Sequence, residues 1–418
     1  MTAFYVAQGL PIGLFLTAIA AWLASNAMSA GSVAAIVAIT YLPWSFKFIG
    51  AAIMDRYTYL PMGRRRPWLI GSQALILAGL LIAALLAPTP ADTTMLSCLG
   101  FAIFCGGAMQ DVAVDGLAVD ILPEEEQGTA SAFMFGGQAL GIAAGAALGG
   151  NLLEDFGSTV AFMAFVPLNA AILLLAIILR EYPGEKLLPW TAGEASARTK
   201  RNHGIGWLQI LAITFRSLIR RDSVILLAGS ALSRAVAGAF TAFWPVFATT
   251  EAGYTTGSYS AMIAIVGLIC SVACMGIGVV MVGRLGPKRS SILSFTGYGL
   301  IALVYLADPG IAAVGYAFVI LSIMWNVTDT LTSVCTNPLR MRLSDKRVAA
   351  TQFTIYNSLS NLPVPLGASL FAWAAGAGGS ALLMPILIVM TIASCAVFAL
   401  LRIGRPVDHV TELSARVD

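Results

Sequence analysis

"GAAIMDRYTYLPMGRRR", Gly50 to Arg66, closes a long apolar run with an acid–base pair and then three consecutive arginines. The chain states the pattern again in "GVVMVGRLGPKRS", Gly278 to Ser290. Each reads glycine, four residues, Asp or Gly, then arginine, and later a glycine with a basic cluster. A second, weaker echo relates "EQGTASAF", Glu126 to Phe133, to "KRVAATQF", Lys346 to Phe353. Repeats half a chain apart predict two related units, each with the same order of apolar runs and basic loops.

Composition says where such units can live. Of 418 residues, 58% are hydrophobic and 11% charged, with a mean hydropathy of +0.84. A soluble domain carries about 25% charged residues, so the chain reads as an all-α polytopic membrane protein. The N-terminus enters its first apolar run without a basic leader, which predicts a membrane helix rather than a cleaved signal. The six cysteines fall in apolar runs and imply no disulfide framework. No His/Cys spacing suits a metal, no cofactor is expected, and nothing suggests nucleic acid.

A crossing needs roughly 20 apolar residues. That window predicts twelve transmembrane helices near 3–25, 32–54, 67–87, 94–121, 128–152, 157–179, 223–249, 256–282, 289–306, 310–337, 347–373 and 379–402. The expected division is a six-helix bundle over 1–180, a linker over 181–222, a second six-helix bundle over 223–402, and a tail over 403–418. The linker piece "WLQILAITFRSLIRR" is amphipathic and basic, which suits a helix lying on the membrane surface. Of the 24 basic residues, 22 then fall on one side. The opposite loops carry Asp92, Glu154, Asp155, Glu251 and Asp308 and no Lys or Arg. The positive-inside rule places both termini in the cytoplasm.

The two remaining cations, Lys47 and Arg234, lie within spans, as do Asp111, Asp115 and Asp329. An ionised side chain at a helix centre costs about 2.5–3.5 kcal/mol on insertion scales and usually faces a partner or cavity. Asp111 and Asp115, four residues apart, share a helix face. Two such carboxylates repel, so one can hold a proton and serve in proton coupling. The structural alternative is a fixed bridge from Lys47 to either. Arg234 could anchor a carboxylate or phosphate with its planar fork, or simply bridge to Asp329. Trp325 could stack on a ring of a solute or only pack. Asp120, at the membrane boundary, is expected to pair with a loop arginine. "FGGQALGIAAGAALGG", Phe135 to Gly150, offers small residues at four-residue spacing for close helix approach. Pro363 and Pro365 should kink their span.

Gly50 with Asp55, Arg56, Gly63, Arg64, Arg65 and Arg66 resembles the loop 2–3 motif of the major facilitator superfamily, with "YTYLPM" inserted. "FKFIGAAIMDRYTYLPMGRRRPWLIGSQ" and "QDVAVDGLAVDILPEEEQGTASA" resemble the AmpG-type muropeptide permeases and related acetyl-CoA transporters. "YVAQGLPIGLF" and "DGLAV" also resemble siderophore importers of the same superfamily. The resemblance implies that spans 1, 4, 7 and 10 line a central cavity, so that Gln8, Gln110, Asp111, Asp115, Arg234, Asn326 and Asp329 face it. It implies that Asp55, Arg56 and Arg64 to Arg66 lock a cytoplasmic gate. Gly283 stands where the second motif would carry its acid, which argues against an equal lock in the other half.

The expectation is a monomeric secondary transporter in a bacterial inner membrane. It would take up a small organic, anionic solute of muropeptide type with protons by alternating access. A siderophore or acyl-CoA-like anion is the alternative. No Walker motif suggests direct use of ATP, and no nucleophile–base set suggests a membrane-embedded enzyme.

Overall fold

A computed structural model of the chain describes residues 1–122, 124–201, 215–310, 314–343 and 349–402. These residues contain helices and no strand. Ten helices are long and apolar enough to cross a membrane. Twelve crossings are recovered because two features hide from a test of length. The run Phe133–Ile178 spans 46 residues, and inside it Gly157 takes φ +78°. That is a left-handed turn open to glycine, so two crossings meet there. Crossing eleven is instead split into Ala349–Asn361 and Pro363–Ala377, each too short to be counted alone. Pro363 has no N–H to continue the ladder, which is the break expected from the sequence.

The crossings are α1 (Thr2–Ser25), α2 (Ala30–Arg56), α3 (Arg66–Leu86), α4 (Thr93–Ile121), α5 (124–156) and α6 (158–178). There follow α7 (Arg221–Thr250), α8 (Thr256–Leu285), α9 (Pro287–Ala307), α10 (Gly315–Leu343), the split α11, and α12 (Gly379–Ala399). Gly286 alone, at φ +78°, joins α8 to α9.

In the first half α2 and α3 pack on α4; in the second α7 packs on α11, α8 on α10, and α9 on α12. The glycine row of α5 lies against α1. A Cβ on Gly9 or Gly13 would run into the α5 backbone at Gln138 and Ile142, and one on Gly145 into Leu10. The two backbones therefore touch directly, which is the use of small residues at four-residue spacing.

The halves meet asymmetrically. One apolar core runs through both at the end that carries the acidic loops. It holds Leu14, Trp22 and Phe162 from the first half and Phe240, Trp244 and Phe318 from the second. At the basic end the cores are separate. Phe4, Met54, Leu69 and Ile172 form one, and Leu226, Phe295, Tyr356 and Phe398 the other. Polar contacts follow the same rule. The Thr256 hydroxyl donates to Ser25 Oγ at 2.9 Å, and the Gly257 N–H donates to Glu154 at 2.5 Å, both at the acidic end. Among the described residues the halves share a core at the acidic end and keep separate cores at the basic end.

The start of the linker is folded rather than loose. Glu185 is 1% exposed and accepts from the Thr199 hydroxyl at 2.6 Å and the Tyr182 N–H at 3.2 Å. Most of the expected surface helix, residues 207–214, and the tail 403–418 lie outside the described residues, as does part of the echo at 346–353.

Candidate functional site

Asp111 sits near the middle of α4 and takes its partners from two neighbouring helices. Lys47 Nζ, on α2, donates to Oδ2 at 2.6 Å, with 9% and 7% of the two side chains exposed. Gln8 Nε2, on α1, donates to Oδ1 at 3.1 Å and to the Gly107 carbonyl at 3.2 Å. Gln138 Nε2, on α5, donates to the side-chain oxygen Oε1 of Gln8 at 2.7 Å. Both carboxylate oxygens are thus occupied, as a buried charge requires. Asp115, one turn on, accepts the Tyr5 hydroxyl at 2.5 Å. Among the described residues no cation stands within ion-pair distance of it.

Among the described residues the second half carries one deep pair. Arg234 Nη1, on α7, donates to Asp329 Oδ1 on α10 at 2.8 Å, and the Tyr298 hydroxyl donates to the same oxygen at 2.8 Å. Arg234 Nη2 also reaches the Tyr41 hydroxyl on α2 at 3.4 Å, so the guanidinium touches both halves. Arg234 is 14% exposed and Asp329 37%.

Other expected residues stand apart from these pairs. Gln110 is buried and donates to Gln73 Oε1 on α3; Gln73 in turn donates to Asn169 on α6 at 3.0 Å. Adjacent helical residues point about 100° apart, so Gln110 leaves the face that holds Asp111. Asn326 donates to its own helix at the Ser322 carbonyl, 2.9 Å, and its amide oxygen faces Gly267 on α8. Trp325 is half-buried and packs on the shared core.

At the basic end, Asp120 accepts from Arg64 Nη1 at 3.5 Å and Arg65 Nε at 3.3 Å. Gly116 makes room for this: a Cβ there would lie 2.6 Å from Arg65 Nε. Glu181, just past α6, accepts the backbone N–H groups of Arg64 at 2.8 Å, of Arg65 at 2.5 Å, and of Arg66. It thereby caps α3 with a negative charge. Burial pushes the Glu181 carboxyl above its usual range, and the three N–H bonds pull the other way. Gly63, at φ +106°, lets the chain turn onto that carboxylate, and a Cβ would strike it. The Arg66 guanidinium meets four carbonyls, those of Ala176, Ile177, Lys186 and Leu187. Arg56 is exposed over the Tyr57 ring, and the Asp55 side chain lies outside what the structure describes.

Sequence reasoning missed Tyr5, Tyr41, Tyr298, Gln138 and Glu181. Tyr5 and Gln8, three residues apart, do mark one polar stripe on an apolar helix, and that signal was available. The other tyrosines resemble any membrane aromatic, and Glu181 reads as the first residue of a linker.

Long apolar helices around two deep ion pairs, with a core shared between the halves at one end, define a multi-pass membrane protein. The family model described as Major Facilitator Superfamily matches residues 1–368, and the chain belongs to that superfamily. It is a secondary transporter rather than an enzyme. It is 25% identical over 370 residues to the anhydromuropeptide permease of Escherichia coli strain K12, covering 85% of this chain and 69% of that one. It is 24% identical over 379 residues to transporter AmpG 4 of Rickettsia conorii, covering 85% and 84%. Among solved structures it is similar to a POT family transporter in complex with a thioalcohol-conjugated peptide. There the TM-score is 0.68 at 13% identity, over 100% of this chain and 96% of the other. It is equally similar to a mutant of the nucleoside transporter NupG, with a TM-score of 0.68 at 13% identity, over 96% and 98%.

Proposed function

We propose that the protein imports an anionic, muropeptide-like solute together with protons by alternating access. The observation that carries this reading is the unequal treatment of Asp111 and Asp115. Lys47 balances Asp111, while among the described residues Asp115 holds only the Tyr5 hydroxyl. With both carboxylates ionised the group bears one net negative charge inside the membrane, where charge is expensive. A proton on Asp115 cancels it. Binding that proton on one side and releasing it on the other ties solute movement to the proton gradient.

The solute side is the Arg234–Asp329 level, where a guanidinium can take a carboxylate through its unused N–H donors. Trp325, Asn326, Gln8 and Gln110 contribute less directly, through packing and helix-to-helix bonds. The muropeptide class is supported by the likeness to the anhydromuropeptide permease. Under the positive-inside rule the basic end is cytoplasmic, with both termini. The acidic end then faces outward, and residues 1–180 and 223–402 rock as two bundles in a bacterial inner membrane. Arg64, Arg65 and Asp120 would lock the cytoplasmic side, with Arg66 and Glu181 holding the loop that carries them; Asp55 and Arg56 belong to the same gate. The carrier works as a monomer.

The test is uptake by purified protein in liposomes under an imposed proton gradient, with a labelled anhydromuropeptide, a ferric siderophore and acetyl-CoA. The anhydromuropeptide should accumulate only with the gradient. Asp115→Asn should abolish accumulation and retain solute exchange. Uptake that ignores the gradient, with Asp115→Asn behaving as wild type, would remove the coupling assignment. Accumulation of another solute alone would remove the muropeptide.

A further inference from the structure

The two oxygens of Asp329 are used unequally. Oδ1 accepts both Arg234 Nη1 and the Tyr298 hydroxyl, each at 2.8 Å. Oδ2 has no hydrogen-bond partner among the described residues, and 37% of the side chain is exposed. Arg234 is likewise part-used. Its fork has five N–H donors; Nη1 serves Asp329 and Nη2 serves Tyr41. The pair lies between the halves, because Tyr41 comes from α2 of the first half and Asp329 from α10 of the second. It therefore offers an open acceptor and open donors side by side at the interface.

That arrangement selects against a simple anion. A lone carboxylate brought to Arg234 meets the Asp329 charge at the same level. It must either accept that repulsion or displace Asp329, leaving the largely buried Arg234 without its charge partner. A group carrying an ammonium beside a carboxylate meets no such conflict. Its ammonium donates to Oδ2, its carboxylate accepts from the guanidinium, and the four charges alternate. We propose that the Arg234–Asp329 pair is a receptor for the zwitterionic α-amino-acid end of the solute, and that Asp329 selects for a free ammonium on it. This rests on the reading that the pair is the solute-binding level of a transporter. The short Arg234–Asp329 contact sets the scale: the two ligand charges must be neighbours, as in an α-amino acid, rather than at the ends of a peptide. Tyr298 and Tyr41 face the pair as neutral hydroxyls, and the buried Arg340, further along α10, is a second positive charge close enough to act on Arg234.

The experiment is saturation-transfer NMR on the detergent-purified full chain with three probes: alanine, N-acetylalanine and alanine amide. Alanine should bind about 10- to 100-fold more tightly than either analogue, since a hydrogen bond to a charged group is worth about 1.5–3 kcal/mol. Asp329→Asn should erase the preference for alanine over N-acetylalanine, and Asp329→Glu should restore part of it. N-acetylalanine binding as well as alanine to the wild type, or no binding of alanine, overturns the proposal without reference to any variant. An unchanged ranking in Asp329→Asn overturns it too. The readout needs no gradient, so loss of proton-driven uptake and loss of this ranking are separate failures.

Discussion

The carboxylate of Glu154, at the end of α5, accepts the backbone N–H of Gly257 in the first turn of α8, so an acid of one half caps a helix of the other. Negative charge at a helix N-terminus is favourable. The glycine is required by the fit, since a Cβ on Gly257 would lie 2.7 Å from Asn151 Oδ1 and 2.9 Å from Glu154 Oε2. Opening the acidic end must break this bond.

Glu154→Ala should therefore shift the balance toward the state open at the acidic end. Glu154 is exposed, so the effect is discounted to about 0.5–1.5 kcal/mol, or roughly 2- to 10-fold in population. The check is labelling of an Ile263→Cys reporter, a position buried in the shared core, by a membrane-impermeant maleimide. Labelling should rise by that factor in Glu154→Ala and by less in Glu154→Gln. Equal labelling in all backgrounds would show that the bond does not hold the seal.

Lys47→Gln should destabilise the protein by about 3–5 kcal/mol, because it strands the Asp111 charge among buried neighbours. Adding Asp111→Asn should return most of that loss, since Gln and Asn can bond to one another and to Gln8. Thermal unfolding of the two single variants and the double variant closes the cycle. Additive losses would mean that the ion pair is not the coupling between them.

Glu181 gives stability a pH dependence with a definite sign. Its folded carboxyl is held above the usual range by burial, so the folded state grips the proton more tightly than the unfolded chain does. That contribution is complete below the ordinary glutamate value, about 4.3. It fades as pH rises through the raised folded value. Melting temperature should fall over that window in the wild type, and Glu181→Gln should lack this component. A parallel pH profile in the two proteins would contradict it.

Gly116→Ala should disturb the basic end without touching either deep ion pair. The new methyl group meets the Arg65 guanidinium, which must swing away from Asp120. Overpacking of this kind costs about 1–3 kcal/mol. Enhanced proteolysis of the 57–65 loop is the expected readout, with Gly71→Ala, which meets nothing within 4 Å, as the neutral control.

The crossings and the deep charges were legible because hydrocarbon leaves little freedom. Apolar runs of the right length and the rarity of Lys47, Asp111, Arg234 and Asp329 were visible at once. A bridge from Lys47 to Asp111 or Asp115, and one from Arg234 to Asp329, were open alternatives; Lys47 takes Asp111, and Arg234 takes Asp329. What composition could not give was rotation about each helix axis. The resemblance implies that Gln110 and Asp111 both face the cavity, yet neighbouring helical positions diverge by about 100°. Asn326, three residues before Asp329 and near its face, instead spends its amide N–H on the Ser322 carbonyl one turn back, a local bond that spacing does not reveal. Tyr5, Tyr41 and Tyr298 were hidden because a hydroxyl on an aromatic ring looks like packing until its partner is known. Glu181 was hidden because its three bonds go to backbone groups, which every loop possesses.

The unequal sharing of the core gives the transport cycle a thermal signature. Opening the acidic end divides the apolar core that the two halves share there. The separate cores at the basic end offer less to bury in return. Exposure of apolar surface raises heat capacity. The equilibrium between the two access states therefore bends with temperature instead of following a straight van't Hoff line. Cooling weakens the hydrophobic seal and makes the state open at the acidic end cheaper to reach, so the carrier's resting conformation is itself a function of temperature.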